Sequence, residues 1–222
     1  NLAYALVGAA IERASGNSFE AQLQHSLLKP LEMNQSGFTG TRSAQDYRAQ
    51  GYEDGIASPD AQVRDLAAGG LWTSPMDLAR YLQMLVAHGI YNDQRLLRSA
   101  SIDAMFTQQN TGNALDFDCQ MGLAWFLAPC GDEPVGPAIR TYQHSGGGDD
   151  FAAQLTLLPD QQLGVIIMAN DSHAEELVAT LATDTLRLML QAQTGQAVCA
   201  DDCQAPSHGL KLRHVPAAID RK

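Results

Sequence analysis

The 222-residue sequence is poor in charged and aromatic residues. Charged residues make up 18% of the chain, against about 25% in an average globular domain, and 45% of the residues are hydrophobic. This balance excludes wholesale disorder, which requires low hydrophobicity and high charge. No apolar run reaches the roughly 18 residues that a membrane-spanning helix needs, so we predict no transmembrane segment. The composition therefore indicates a globular chain.

Basic residues are scarce, with 14 Lys and Arg against 25 Asp and Glu, which gives a formal net charge of −11. A chain this acidic is repelled by a phosphate backbone, so we expect no nucleic-acid partner. The length is about one and a half typical domains and suits one domain or a compact pair.

Cysteine is also sparse, with four residues at positions 119, 130, 199 and 203. Their even number and close spacing favour two short disulfides, Cys119–Cys130 and Cys199–Cys203, in an oxidising compartment. Three pairings are open, and so is the alternative of four free thiols.

The C-terminal residues allow a competing interpretation. Cys199 and Cys203 are followed by His208 and His214, which together would supply four zinc ligands. The gap between the two pairs is too short for a ββα zinc finger, which needs about twelve residues. A disulfide or a loosely held tail explains the segment as well, and we assign no metal site.

Helical patterns dominate the first half of the chain. Apolar periodicity predicts a helix over residues 1–15, with Gly16 as its stop. Asn17 and Glu20 resemble a capping box for a second helix that runs to about Leu28.

A third helix has a fuller set of start signals. Ser74 is its predicted N-cap, Pro75 takes the first helical position and Asp77 the third, which are the favoured residue types there. A shorter helix capped by Ser99 is expected over about 100–108.

The second half changes to strand patterns separated by Gly, Pro and Asp. The predicted strands cover residues 120–127, 139–144, 151–158 and 163–170. The short Pro159-Asp160 break makes the last two an antiparallel hairpin, and a long helix over 173–194 follows. Helices followed by antiparallel strands indicate an α+β fold.

Four segments in order resemble a known family: NLAYALVG at 1–8, KPLEM at 29–33, AGGL with DLAR at 68–80, and QHSGG at 143–147. The family is the serine hydrolases of the class C β-lactamase and penicillin-binding protein type. The resemblance covers residues 1–194 and leaves 195–222 as a loosely held extension. It implies an antiparallel sheet flanked by helices, and acyl-enzyme chemistry on an amide, β-lactam or ester without a cofactor.

The segment around Gly147 carries the predicted chemistry. Glycines on an edge strand let a substrate backbone approach closely, because no Cβ is in the way. By resemblance, the Gly147 N–H supplies half of an oxyanion hole, while His144, Ser145 and Gly146 bind substrate. Ser145 would hydrogen-bond a substrate carboxylate or amide, and His144 would place a titratable group beside it. The residues alone also fit a strand that ends in a Gly-rich turn.

The sequence contains one Ser-x-x-Lys match, Ser26 with Lys29, and we interpret it as a decoy because it ends a helix before Pro30. By resemblance, Asn1 is the last residue of the family's Tyr-x-Asn motif. The nucleophilic Ser, its Lys and the Tyr would then lie upstream. We therefore expect a fold that is incomplete at its N-terminus, is inactive alone, and needs the N-terminal part of the same protein beside a small-molecule or peptide substrate.

Three further questions stay open from the sequence. The intact protein could be an esterase of the same fold, or a non-catalytic domain that binds a ligand or is a zinc-stabilised interaction module. Asp149 and Asp150 precede Phe151 where the family usually has Gly, and they either disfavour anionic substrates or are solvated turn residues. The disulfide prediction favours a periplasmic or secreted location, with the cytoplasm as the alternative.

Overall fold

The computed structural model describes residues 1–38, 48–59, 63–113, 119–127, 135–136, 139–148 and 150–195. The predicted C-terminal extension and Cys130, Cys199 and Cys203 lie outside these ranges. Cys119 carries no free thiol, but the predicted disulfide pairing stays a prediction.

The helices of the described residues begin or end at local capping signals at only some of their ends. They are α1 Leu2–Ser15, α2 Phe19–Leu23 with a π-helical continuation Gln24–Leu28, α3 Leu66–Gly69, α4 Pro75–Val86, α5 Ser99–Met105, and α6 Glu175–Thr194 after a 3₁₀ turn Ser172–Ala174. Gly16 ends α1 in the left-handed conformation at φ 74°, and Ser74 caps α4, as predicted. No helix among them is both long and apolar enough to cross a membrane.

The capping box predicted at Asn17 is wrong, because Ser18 is the N-cap of α2 and its Oγ accepts from the Ala21 N–H at 3.2 Å. A contact with α1 explains the one-residue shift, since the Phe19 N–H donates to Glu12 Oε1 at 2.8 Å. Both Asn and Ser suit an N-cap, so tertiary contacts decide between them.

The strands of the described residues form one three-stranded sheet and three short two-stranded pairs. They are β1 Gly37–Phe38, β2 Tyr52–Glu53, β3 Ile56–Ala57, β4 Leu71–Trp72, β5 Ile90–Tyr91, β6 Gln94–Arg95, β7 Tyr142–Gly147, β8 Ala152–Leu158 and β9 Leu163–Ala169. Strands β7, β8 and β9 are antiparallel and adjacent in that order, which confirms the predicted hairpin. The expected α+β class, with an antiparallel sheet and flanking helices, is observed.

The predicted strand over 120–127 does not form. Residues there make only isolated bridges from Phe126 to Met121 and Gln143. The chain turns back on itself, since the Gly122 N–H donates to the Trp125 carbonyl at 2.8 Å and Ala124 has a positive φ of 63°. The next strand also begins later than predicted, at Tyr142.

The three-stranded sheet is covered on both faces. On one face, α4 places Leu82 in a buried cluster with Tyr142 and Leu157. On the other face, α6 packs Ala182 and Leu186 into a second buried cluster. Successive side chains of a strand point to opposite faces of the sheet. Neighbouring residues of β8 therefore pack into different clusters.

Several apolar side chains of α1 and α6 are exposed. On α1, Leu2 and Leu6 are 72% and 65% exposed. The apolar residues of α6 form a buried row and an exposed one, and Leu188 of the exposed row is 66% accessible. Strand β9 pairs with β8 only, among the residues that the structure describes. The described residues thus present exposed apolar side chains on two helices and an edge of β9 that pairs with no other described strand.

Asp77 links the start of α4 to the segment before β1 through hydrogen bonds. Its carboxylate is buried and accepts from the Gln35 N–H at 2.8 Å, the Ser36 hydroxyl at 2.7 Å and the Arg80 guanidinium at 2.5 Å. The Ser36 hydroxyl also contacts Thr73 Oγ1 at 2.7 Å, next to β4. The sequence identified Asp77 only as a favourable third helical residue.

We expect Asp77→Ala to lower the free energy of unfolding by about 3 kcal/mol, because it leaves buried donors and the Arg80 charge without their acceptor. Urea unfolding measures the change. Asp103→Ala, which removes an exposed carboxylate from α5, is the matched control and should change the stability by less than about 0.5 kcal/mol. Equal losses for the two variants would contradict this role of Asp77.

Candidate active site

The backbone of β7 leaves its last residues open on one edge. Gln143 exchanges both backbone hydrogen bonds with Phe126, at 2.9 and 3.0 Å, on the side away from β8. Backbone groups alternate between the two sides of a strand, so the N–H and C=O of Ser145 and Gly147 also point away from β8. The Gly148 N–H, one residue on, donates towards β8 to the Phe151 carbonyl at 3.1 Å, as this alternation requires.

The open part of this edge is solvent-accessible. Residues from His144 to Gly147 are all exposed, whereas Tyr142 at the start of the strand is buried. Phe126 covers the edge at Gln143, so the accessible stretch begins beyond it. An exposed strand edge with free amide groups is a template for an extended substrate backbone.

The side chains of β7 divide between the two faces of the sheet. His144 lies opposite Leu155 and faces the α4 side, while Ser145 lies opposite Gln154 and faces the α6 side. Gly146 leaves open the α4-facing position beyond His144, since a Cβ there would meet only Ala153 at 3.6 Å. The predicted binding residues therefore surround one edge but do not share one face.

The His144 ring lies close to the open edge of β7, where its Nδ1 is 2.6 Å from the Ser145 carbonyl oxygen. A carbonyl can only accept a hydrogen bond, so Nδ1 is the donor in this contact and Nε2 is left to contact a ligand. The ring also lies 6.0 Å from the Phe126 ring, centroid to centroid. His144 can thus present a hydrogen-bond acceptor or a positive charge beside the edge.

Aromatic contacts anchor Phe151, which follows β7 and the Gly147 N–H. Phe151 packs edge-on against Trp72 with ring centroids 5.4 Å apart. The Arg48 guanidinium in turn stacks over the Trp72 ring at 4.0 Å, a cation–π contact. Because oxyanion stabilisation depends on donors held in place before the reaction, this anchoring suits a catalytic role.

Asp150 is a buried packing residue, not a solvated turn residue. Asp150 is 7% exposed, and a Cβ added at Gly51 would lie only 2.7 Å from the Cβ and Cγ atoms of Asp150. Gly51 therefore allows the segment before β2 to approach the turn after β7. Asp149 lies outside the described residues.

Asn1 lies in a cleft beside α3, and Ser26 forms a hydrogen bond within its own helix. Asn1 lines a shallow cleft of about 290 Å³ with residues 63–65, 68 and 69, and no β7 residue contributes to it. In this cleft the hydrogen bond from the Arg64 guanidinium lowers the pKa of Asp65. Ser26 Oγ donates to the Gln22 carbonyl at 2.8 Å, so its hydroxyl bonds its own helix.

Sequence reasoning assigned no role to Glu175, the first residue of α6. Its side chain lies against Gly147, where Oε1 fills the space that a Cβ would need. The sheet register provides the signal that could have found it, because Gly147 pairs with Ala152 and Ala152 with Ala169. The start of α6, shortly after β9, therefore returns to the same end of the sheet. No cluster of three metal-binding side chains lies among the described residues.

Comparison with known proteins supports the assignment of this fold. D-alanyl-D-alanine-carboxypeptidase/endopeptidase AmpH of Escherichia coli K12 is 24% identical over 78% of this chain and 44% of its own length. A β-lactamase of the same strain is 25% identical over 78% of this chain and 51% of its own. The chain thus spans about half the length of the curated relatives it matches.

Solved structures share the fold. The octameric penicillin-binding protein homologue from Pyrococcus abyssi matches 84% of this chain and 41% of its own, with a TM-score of 0.66 and 26% identity. A class C β-lactamase matches 83% of this chain and 55% of its own, with a TM-score of 0.68 and 18% identity. The profile of the Beta-lactamase family matches residues 1–188, and the chain belongs to this family.

Proposed function

We propose that this chain supplies the substrate-binding strand and half of the oxyanion hole of a serine hydrolase that works through an acyl-enzyme. Its substrates would be amides, β-lactams or esters, and the names of two relatives fit D-alanyl-D-alanine peptides and β-lactams, respectively. No cofactor is needed, because acyl transfer requires only a nucleophile, a base and oxyanion donors.

The observation that carries this proposal is the open edge of β7. The Gly147 N–H points away from β8 at an exposed position on the sheet edge, and Phe151, which follows the strand, packs against Trp72. An acyl group laid along the edge could direct its carbonyl oxygen to this donor. Ser145 and His144 would then flank the bound substrate on opposite faces of the sheet.

The nucleophile is proposed to come from an upstream Ser-x-x-Lys in the N-terminal part of the same protein. The unpaired edge of β9 offers backbone groups to a further strand. The exposed leucines of α1 and α6 offer apolar surface for a further segment to cover. We propose a periplasmic or secreted location, which the absence of a free thiol at Cys119 supports.

Mass spectrometry of the complete protein tests the function. The protein is incubated with a penicillin, a D-alanyl-D-alanine peptide and an activated ester, and each reaction is quenched in acid. We expect a covalent adduct of acyl mass on one upstream serine, with turnover of at least one substrate class. An adduct and turnover with the ester alone would assign the esterase alternative.

A folded complete protein that forms no adduct, with these substrates or with a fluorophosphonate, would contradict the proposal. Retained ligand binding in such a protein, measured by calorimetry, would identify the non-catalytic alternative. Zinc found in the purified protein by elemental analysis would support the interpretation of the C-terminal Cys and His residues as a metal site.

A further inference from the structure

Glu175 places a negative charge at the accessible end of β7. The carboxylate oxygen Oε1 occupies the position of the missing Gly147 side chain. Gly147 and Ser145 face the same side of the sheet, two residues or about 7 Å apart along the strand. Any group that a bound substrate projects towards α6 at this end therefore meets the Glu175 carboxylate.

Among the described residues, the Glu175 carboxylate has no counter-charge. The side chain is exposed and forms no ion pair or hydrogen bond with another described residue. The nearby imidazole of His173 is already paired with Asp54, with Nε2 and Oδ1 3.0 Å apart. A carboxylate held beside a binding edge without a partner is free to pair with a charge on the ligand.

We propose that Glu175 is a specificity residue, whose carboxylate selects substrates that carry a positively charged group, such as an ammonium, near the scissile bond. The same charge repels substrates with a carboxylate at that position. This inference rests on the proposed function, because it assumes that the edge of β7 binds the acyl substrate. It adds a substrate class that neither the motif nor the fold specifies.

Three activated esters with one acyl chain test the selection in the complete protein. Their acyl chains end in a trimethylammonium group, an isosteric neutral tert-butyl group, or a carboxylate. For the wild type we expect kcat/KM to be about tenfold higher for the cationic ester than for the neutral one, and lowest for the anionic one. Glu175→Gln should bring the ratio of cationic to neutral close to one.

The matched control is Glu176→Gln, which removes the neighbouring first-turn carboxylate of α6 and should leave all three values unchanged. Glu175→Lys should reverse the order and favour the anionic ester. Both expectations compare substrates within one variant, so a change in the amount of folded protein does not alter them.

Two failures are distinguishable. If the wild type hydrolyses none of the esters and no fluorophosphonate labels it, the proposed function fails and the inference fails with it. If the neutral ester is hydrolysed but the cationic-to-neutral ratio is the same in wild type, Glu175→Gln and Glu175→Lys, the inference alone is overturned.

Discussion

Gly147→Pro is expected to lower kcat of the complete hydrolase by about a hundredfold or more. Proline has no N–H, so the variant loses one of the two donors proposed for the oxyanion, and one such donor typically contributes about 3 kcal/mol to transition-state stabilisation. Because this N–H points away from β8, its loss breaks no hydrogen bond of the sheet. The effect should therefore fall on kcat and leave the melting temperature close to that of the wild type.

Two neighbouring substitutions separate the donor from other effects. Gly147→Ala keeps the N–H, and its Cβ displaces only the end of the flexible Glu175 side chain, so we expect less than a tenfold loss. Gly146→Pro removes an N–H that points towards β8 and should destabilise the fold. A folded Gly147→Pro variant with kcat within threefold of the wild type would disprove the oxyanion assignment.

Some features of the fold that depend on neighbouring residues were predictable from the sequence, although the cap predicted at Ser99 is wrong, because Arg98 is the N-cap of α5 and Ser99 its first residue. The cap of α4 needs only Ser74, Pro75 and Asp77, and the end of α1 needs only a residue that tolerates a positive φ. Features that depend on distant residues were not. The start of α2 follows from a bond to Glu12, and the exposure of Leu6 depends on which segments lie against α1.

The same contrast between local and distant contacts applies to the candidate site. A short motif with fixed spacing predicts His144, Ser145 and Gly147 as site residues, and these residues lie at an exposed strand edge. Asp150 and Glu175 needed the structure, because their neighbours are Gly51 and Gly147, far away in sequence. A carboxylate in a turn and one in a first helical turn each have ordinary local explanations, so no local pattern marks them as part of a site.

The 222-residue chain alone is expected to show no covalent labelling by a fluorescent penicillin or a fluorophosphonate. Acyl transfer requires a serine activated by a nearby base. The literal candidate, Ser26, donates its hydroxyl to the Gln22 carbonyl within a helical turn, and Lys29 follows at the end of that turn. Supplying the N-terminal part of the protein, in trans or as the complete chain, should restore labelling by adding the nucleophile and covering the edge of β9.

Ser26→Ala is the variant that decides between the two placements of the nucleophile. We expect the complete protein with Ser26→Ala to label as strongly as the wild type, because the Ser26 hydroxyl bonds its own helix and not Lys29. Substitution of the upstream serine should abolish labelling in the same assay. If instead the isolated chain labels and Ser26→Ala abolishes that labelling, the placement of Asn1 at the end of Tyr-x-Asn is wrong. The nucleophile would then lie on the π-helical turn, and the open edge of β7 would need a different role.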